Sequence, residues 1–253
     1  MVIPIKSGQE IESMRRAGRI LAGVMVQLLA AAKPGVKTKE LDTLAEKLIK
    51  KADAKPSFKM VDNYQWASCI NLNDGLVHGI PNDYQIKAGD LVTLDLGVFY
   101  QGFHADMART LRVQAQSSRE KERFLEIGQE VLRKATAMAR PGNRVGHISQ
   151  IIQQIVEKAG YSVSRKFTGH GIGRSLHEEP KIPCFLEGSI NKTPKLKANM
   201  TLAIEVIYSQ GRPEVKVAQD GWTASTADAK LGGLFEDTVL ITETRPKVLT
   251  VVK

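Results

Sequence analysis

Cysteine is scarce in this 253-residue chain: Cys69 and Cys184 are the only two. They form no CxxC pair, which excludes a disulfide scaffold and suits a reducing cytoplasm. Long apolar runs are also missing. The stretch Ile20–Ala32 follows Arg15, Arg16 and Arg19, as the apolar part of a signal peptide would. It is too short to span a membrane, starts late and is interrupted by Gln27, so it reads as a core helix. No low-complexity tract or linker divides the chain. The segment His177-Glu178-Glu179-Pro180 lacks the second histidine of HExxH, which argues against a zincin helix.

What is present suits a globular protein with a sizeable core. Hydrophobic residues make up 42% of the chain. The net charge of +9 would tolerate an anionic neighbour such as RNA, although a solvated basic surface is the favoured account of it. The same holds for the lysines of the first half: Lys33, Lys37, Lys39, Lys47, Lys50, Lys51, Lys55 and Lys59. They would suit proximity to a ribosome, but a solvated helix face is the simpler expectation.

The chain is written twice. A shift of 107 lays Pro34-Gly35 on Pro141-Gly142, and Leu41, Leu44, Leu48 and Ala52 on Ile148, Ile151, Ile155 and Ala159. These positions step by helical spacing and predict one apolar stripe in each half. Each half opens on a capping-box pattern, Ser7-x-x-Glu10 and Ser117-x-x-Glu120. The strand-rich parts match as well, placing Asp95 over Glu205, Asp106 over Glu236 and His78 over His170. The expected fold is α+β: two halves, about 7–113 and 117–253, related by a pseudo-twofold axis within one domain spanning 1–253. Helices should pack on a central antiparallel sheet, with the recurring acids meeting in the middle.

The stretch D-L-G-V-F-Y-Q-G-F-H-A-D (95–106) reads as a hairpin. A two-residue turn at Tyr100-Gln101 would set Asp95 directly opposite Asp106. Val92, Leu94, Leu96, Val98, Phe103, Ala105, Met107 and Leu111 then share a core face. Thr93, Asp95, Gly97, His104, Asp106 and Ala108 share a small polar one. Glu205 and Glu236 lie in apolar runs where an unpaired carboxylate costs several kcal/mol. Four such acids require cations, and two divalent metals sharing carboxylates would balance the charge. His170, between glycines, is a nitrogen ligand candidate. The donor set suits Mn²⁺, Fe²⁺ or Co²⁺, with Zn²⁺ also compatible. His78 and His177 are candidate acid/base or oxyanion groups. His104 and His147 are expected to be structural.

At these residues the sequence resembles type I methionine aminopeptidases, of the pita-bread metallopeptidase fold, over nearly its whole length. The motifs are V-H-G-I-P, D-x(10)-D, G-H-G-I-G-x-x-x-H-E-E-P, A-I-E and F-E-D-T. The resemblance implies five metal ligands: Asp95, Asp106, His170, Glu205 and Glu236. Asp106 and Glu236 would bridge two metals. It implies removal of N-terminal methionine before a small second residue, by a hydroxide held between the metals. Glu205 would act as general base, His177 would stabilise the oxyanion and His78 would assist the leaving amine. The substrate would be the N-termini of nascent polypeptides. The methionine side-chain pocket would comprise Phe58, Val61, Tyr64, Cys69, Leu176 and Trp222, and His78 and His177 would also contact the substrate.

The chain departs from the family pattern at Val61-Asp62-Asn63-Tyr64-Gln65, at Leu176 where phenylalanine is usual, and at Val206 where proline is expected. D-M-A-R-T-L leans slightly towards the proline-directed relatives, aminopeptidase P and prolidase. A non-catalytic RNA- or ribosome-binding relative is a further alternative, but such proteins lose ligands that this chain keeps. A cytoplasmic monomer without a membrane anchor is the expectation.

Overall fold

The structure is a computed structural model describing residues 2–114, 116 and 118–251. In chain order the first half comprises α1 (Gly8–Ala31), α2 (Thr38–Lys51), β1 (Lys55–Pro56), β2 (Ser68–Leu72), β3 (Gly75–Val77), β4 (Leu91–Tyr100) and β5 (Phe103–Arg112). The second comprises α3 (Arg119–Met138), α4 (Val145–Lys158), β6 (Ser162–Val163), β7 (Thr168–Gly171), β8 (Glu178–Pro183), β9 (Thr201–Ser209), β10 (Val215–Val217), β11 (Ala224–Thr226), β12 (Gly232–Ile241) and β13 (Pro246–Val248).

The repeat is visible in the helices. Helix α4 is α2 displaced by 107 residues at both ends. The buried side is Thr38, Leu41, Asp42, Ala45 and Ile49 in α2, and Val145, Ile148, Ser149, Ile152 and Val156 at the same offset in α4. The predicted stripe is therefore rotated. Leu44, Leu48, Ile151 and Ile155 flank the buried line and are only partly covered. Ser7 and Glu10 form the expected capping box. In the second half Ser117 lies outside the described residues, and the N-cap of α3 is Ser118, whose hydroxyl accepts from the Lys121 N–H.

The large sheet runs β1-β4-β5-β12-β9-β7-β8, and its described strand pairs are antiparallel. Helix α1 covers β4 and β5, while α3 covers β9 and β12. The inward residues form one apolar cluster per half. Leu21, Met25, Leu94, Leu96, Val98 and Met107 belong to the first; Phe124, Val131, Leu202, Ile204, Tyr208 and Phe235 belong to the second. Helices thus occupy one face of the sheet. A small second sheet, β10-β11-β3, packs by β3 against β2, β9 and β12 of the large one.

The β4–β5 hairpin corrects the expected register. Tyr100 pairs with Phe103, so the turn is Gln101-Gly102, with φ of 48° and 87°. Two left-handed residues match the twist of a tight hairpin, and glycine at the second position makes that conformation inexpensive. Asp95 faces Ala108 and Asp106 faces Gly97. The slip is two residues, so both acids stay on the predicted face; a slip of one would have inverted every side chain.

His78 and His170 are not equivalent positions. His170 lies in β7, which pairs with β9, whereas His78 follows β3 in the small sheet. The strand of the first half that flanks β4 as β7 flanks β9 is β2.

The lysine-rich helix face is solvated. Lys37 and Lys39 pair with Asp83, and Lys50 and Lys59 pair with Glu46, all with substantially exposed side chains. Behind the sheet, Arg109 donates to the carbonyls of Ala108 and Glu236 and pairs with buried Asp237 at 2.7 Å. Arg109→Leu leaves that carboxylate without its cation. The expected loss is about 3 kcal/mol in urea unfolding, the low end for a buried pair because Arg109 is partly exposed. A stability indistinguishable from the parent would show that the pair contributes nothing.

Candidate metal centre

Five neighbouring strands, β4, β5, β12, β9 and β7, each carry one of the predicted ligands. The pairing arranges them in two rows on the face opposite the helices. One row reads Asp95, Ala108, Glu236, Glu205 across four strands. Two residues along, the next reads Gly97, Asp106, Thr238, Ala203, His170. Small residues occupy the positions between ligands, so the acids converge over open space.

Local sequence fixes these side chains. A Cβ at Gly171 would lie 2.1 Å from the Glu179 carbonyl, so glycine there lets β8 close beside His170. The His170 Nδ1 lies 2.8 Å from the Gly171 carbonyl, which can only accept. Nδ1 therefore carries the proton, and Nε2 offers its lone pair towards the acids, 3.5 Å from Glu205 Oε1. Asp106, His170 and Glu236 each present a donor atom within 4.8 Å of the others.

The acids crowd one another in a buried cleft. Burial, then Asp106 and Glu205, push the Asp95 carboxyl well above its ordinary range. Burial and then Asp106 do the same to Glu205 and Glu236. Burial pushes Asp106 up to about 7. Glu236 Oε1 is buried without a hydrogen-bond partner among the described residues. Burial drives the His170 pKa down to about 3, leaving the imidazole neutral. Buried carboxylates, an orphaned oxygen and an aimed lone pair form a donor set that divalent cations fit.

The same cavity, about 150 Å³, has a second wall. Phe58, Val61, Tyr64, Cys69, Leu176 and Trp222 line it, joined by Val77, which was not anticipated. Tyr64 is the hinge of this wall. Its ring meets Trp222 edge-on at 5.1 Å and Phe58 at 6.4 Å, and its hydroxyl donates to the Ser68 carbonyl at 2.9 Å. Cys69 pairs with Asp95 in the β2–β4 ladder, which brings apolar and acidic walls together. Gly97 admits Phe58, because a Cβ there would meet the Ser57 Cβ at 2.6 Å.

His78 and His177 also line the cavity. His78 holds a φ of 58°, uncommon for a residue with a side chain, between the edges of Phe167 and Trp222. The ring of His177 stands 4.5 Å from that of His170. Burial lowers the pKa of both His78 and His177. His104 and His147 are structural, as expected. His104 is buried with Nδ1 2.9 Å from Ser57 Oγ, and His147 Nδ1 accepts the Arg144 N–H at the start of α4.

A sheet that brings four acids and an imidazole to one apolar cleft defines a metal-dependent hydrolase of the pita-bread fold. The chain belongs to metallopeptidase family M24, whose model matches residues 12–243. It is 44% identical over 252 residues to a methionine aminopeptidase of Clostridium perfringens, covering 100% of both chains. The solved methionine aminopeptidase of Thermotoga maritima superposes with a TM-score of 0.95 at 40% identity, over 99% of this chain and 100% of that one. A Pyrococcus horikoshii prolidase has a TM-score of 0.79 at 28% identity; the match covers 98% of this chain and 64% of that chain. Among the described residues no helix is long and apolar enough to cross a membrane.

Proposed function

We propose that this chain removes N-terminal methionine from nascent polypeptides with a small second residue, acting as one catalytic domain. The cleft carries this reading, because an apolar box faces the ligand residues across one cavity. Methionine is flexible and polarisable and suits a box lined by aromatic edges. The relatives named methionine aminopeptidase support the same reading.

Asp95, Asp106, His170, Glu205 and Glu236 would hold the divalent cations. An oxygen-rich set with one imidazole favours Mn²⁺, Fe²⁺ or Co²⁺ and is compatible with Zn²⁺. When bound, such cations supply Lewis acidity and ionise a water near neutral pH. Glu205 takes the proton of the attacking water as general base. His177, neutral at pH 7, donates a hydrogen bond to the scissile carbonyl oxygen as negative charge develops there. His78 faces the leaving amine. Asp95 offers negative charge to the free α-amine, which restricts the site to chain ends. The scarcity of cysteine supports a cytoplasmic setting; we take the chain as a monomer, with ribosome proximity resting only on the solvated lysines.

A peptide comparison tests this function. With Mn²⁺ or Co²⁺, Met-Ala-Ser should be cleaved and an X-Pro peptide left largely intact. Faster cleavage of the X-Pro peptide would favour a prolidase-like activity and sink the methionine reading. Metal binding without turnover of either peptide would favour a non-catalytic relative.

A further inference from the structure

The two halves meet at β5 and β12, yet the ladder between these strands has only two residue pairs, Ala108–Glu236 and Met107–Asp237. Within each half, β4–β5 and β9–β12 pair over ten and nine residues. At both ends of this short seam a threonine hydroxyl stands in for the ladder. Thr238 Oγ1 accepts the Asp106 N–H at 2.8 Å and donates to the Asp106 carbonyl at 2.8 Å. Thr110 Oγ1 accepts the Leu234 N–H at 3.0 Å and donates to the Leu234 carbonyl at 2.8 Å. Each hydroxyl spends its one proton and one lone pair across the seam. Both threonines are buried.

We propose that Thr238 is a positioning residue for the metal centre, with Thr110 as its counterpart. Their hydroxyls hold β5 and β12 at a fixed splay and thereby set how Asp106 approaches Glu236. Directly hydrogen-bonded strands lie about 4.8 Å apart. A hydroxyl inserted between two backbones holds them further apart while still satisfying the N–H and the carbonyl. The Asp106 carboxylate hangs from the residue whose N–H and carbonyl Thr238 clamps. An apolar isostere leaves that buried N–H and carbonyl unpaired, and the strand must shift to satisfy them. Thr238 also stands between Asp106 and Ala203 in the second ligand row, so its clamp lies inside the ligand array itself.

The inference rests on the metal-centre reading, and the test separates the two. Thr238→Val, Thr238→Ser and Thr110→Val are stripped with chelator, titrated with Mn²⁺ by calorimetry and assayed on Met-Ala-Ser. Thr238→Val should weaken Mn²⁺ binding by about 10-fold or more, the range for groups that orient ligands, and lower kcat more than it raises KM. Thr238→Ser should restore both. Thr110→Val, whose clamp ends on Leu234 instead of a ligand, should show a smaller loss of affinity, and it carries the test if Thr238→Val does not fold. Parental Mn²⁺ affinity in both valine variants overturns the proposal, as does a serine variant as weak as the valine one. Failure of the methionine reading shows instead in the parent chain, as Mn²⁺ binding without cleavage, and leaves the affinity comparison intact.

Discussion

Glu205→Gln should lower kcat on Met-Ala-Ser by about 10³-fold or more, since a positioned general base alone contributes roughly 10²–10⁴. Glutamine keeps the shape and the strand. It removes the base and offers a cation a neutral oxygen in place of an anionic one. Glu205 is the natural place for the largest loss. It lies directly across the ladder from Glu236, 3.5 Å from the His170 Nε2, and its carboxyl lines the cavity. The fold should survive, because removing one of four like-charged buried acids relieves repulsion. A circular dichroism melt at or above that of the parent, together with a dead enzyme, is the expected pair of results. Activity within tenfold of the parent would move the base elsewhere.

Chelated protein should gain stability as pH falls from 8.5 to 6.5, and added Mn²⁺ should reverse that slope. A carboxyl whose folded pKa is raised binds its proton more tightly in the folded state, so stability is lost as pH climbs through that pKa. Asp106 reaches about 7 from an ordinary value of 3.8, so its penalty grows across pH 4–7 and is complete above. Asp95, Glu205 and Glu236 are raised well above their ordinary values by burial and by the neighbouring acids, and they act in the same direction. Each tenfold gain in proton affinity on folding corresponds to roughly 1.4 kcal/mol, so the slope is readable in thermal melts.

Histidines oppose this trend at lower pH. His104 is held at about 4 and His170 at about 3, so both disfavour the folded state once pH drops below their ordinary 6.5. The gain should therefore flatten near pH 6. Cations bind the deprotonated ligands and stabilise most at high pH, by about 2.7 kcal/mol at a hundredfold excess over Kd. Thermal melts at four pH values, with chelator and with Mn²⁺, measure both slopes. A chelated protein whose melting temperature is flat or rises between pH 6.5 and 8.5 would contradict the burial of these acids as free carboxyls.

Much of this site was legible because a charge in an apolar strand is conspicuous. Glu205 sits within M-T-L-A-I-E-V-I-Y, and no solvated-face reading accommodates it. The repeat added the second half of the argument by placing acids over acids, and the 107-residue offset reappears in α2 and α4. Turn chemistry was less legible. Gln101 in a left-handed turn carries no composition signal of the Asn-Gly kind, so the hairpin closed one position later than expected. The helical stripe was rotated because Asp42 and Ser149 are buried and polar. Asp42 is anchored by the N–H groups of Ala67 and Ser68, a contact no periodicity reveals. The His78–His170 match failed because glycine and isoleucine around a histidine carry little information about strand position. Thr110 and Thr238 were invisible for a different reason. Threonine is common in strands, and its use here depends on how far two strands part.

The short ladder between β5 and β12 has a further consequence. Asp95 and Asp106 come from one side of it, and His170, Glu205 and Glu236 from the other. A cation held by all five would therefore link the two halves across the seam, much as a ligand at the interface of a heterodimer links its subunits.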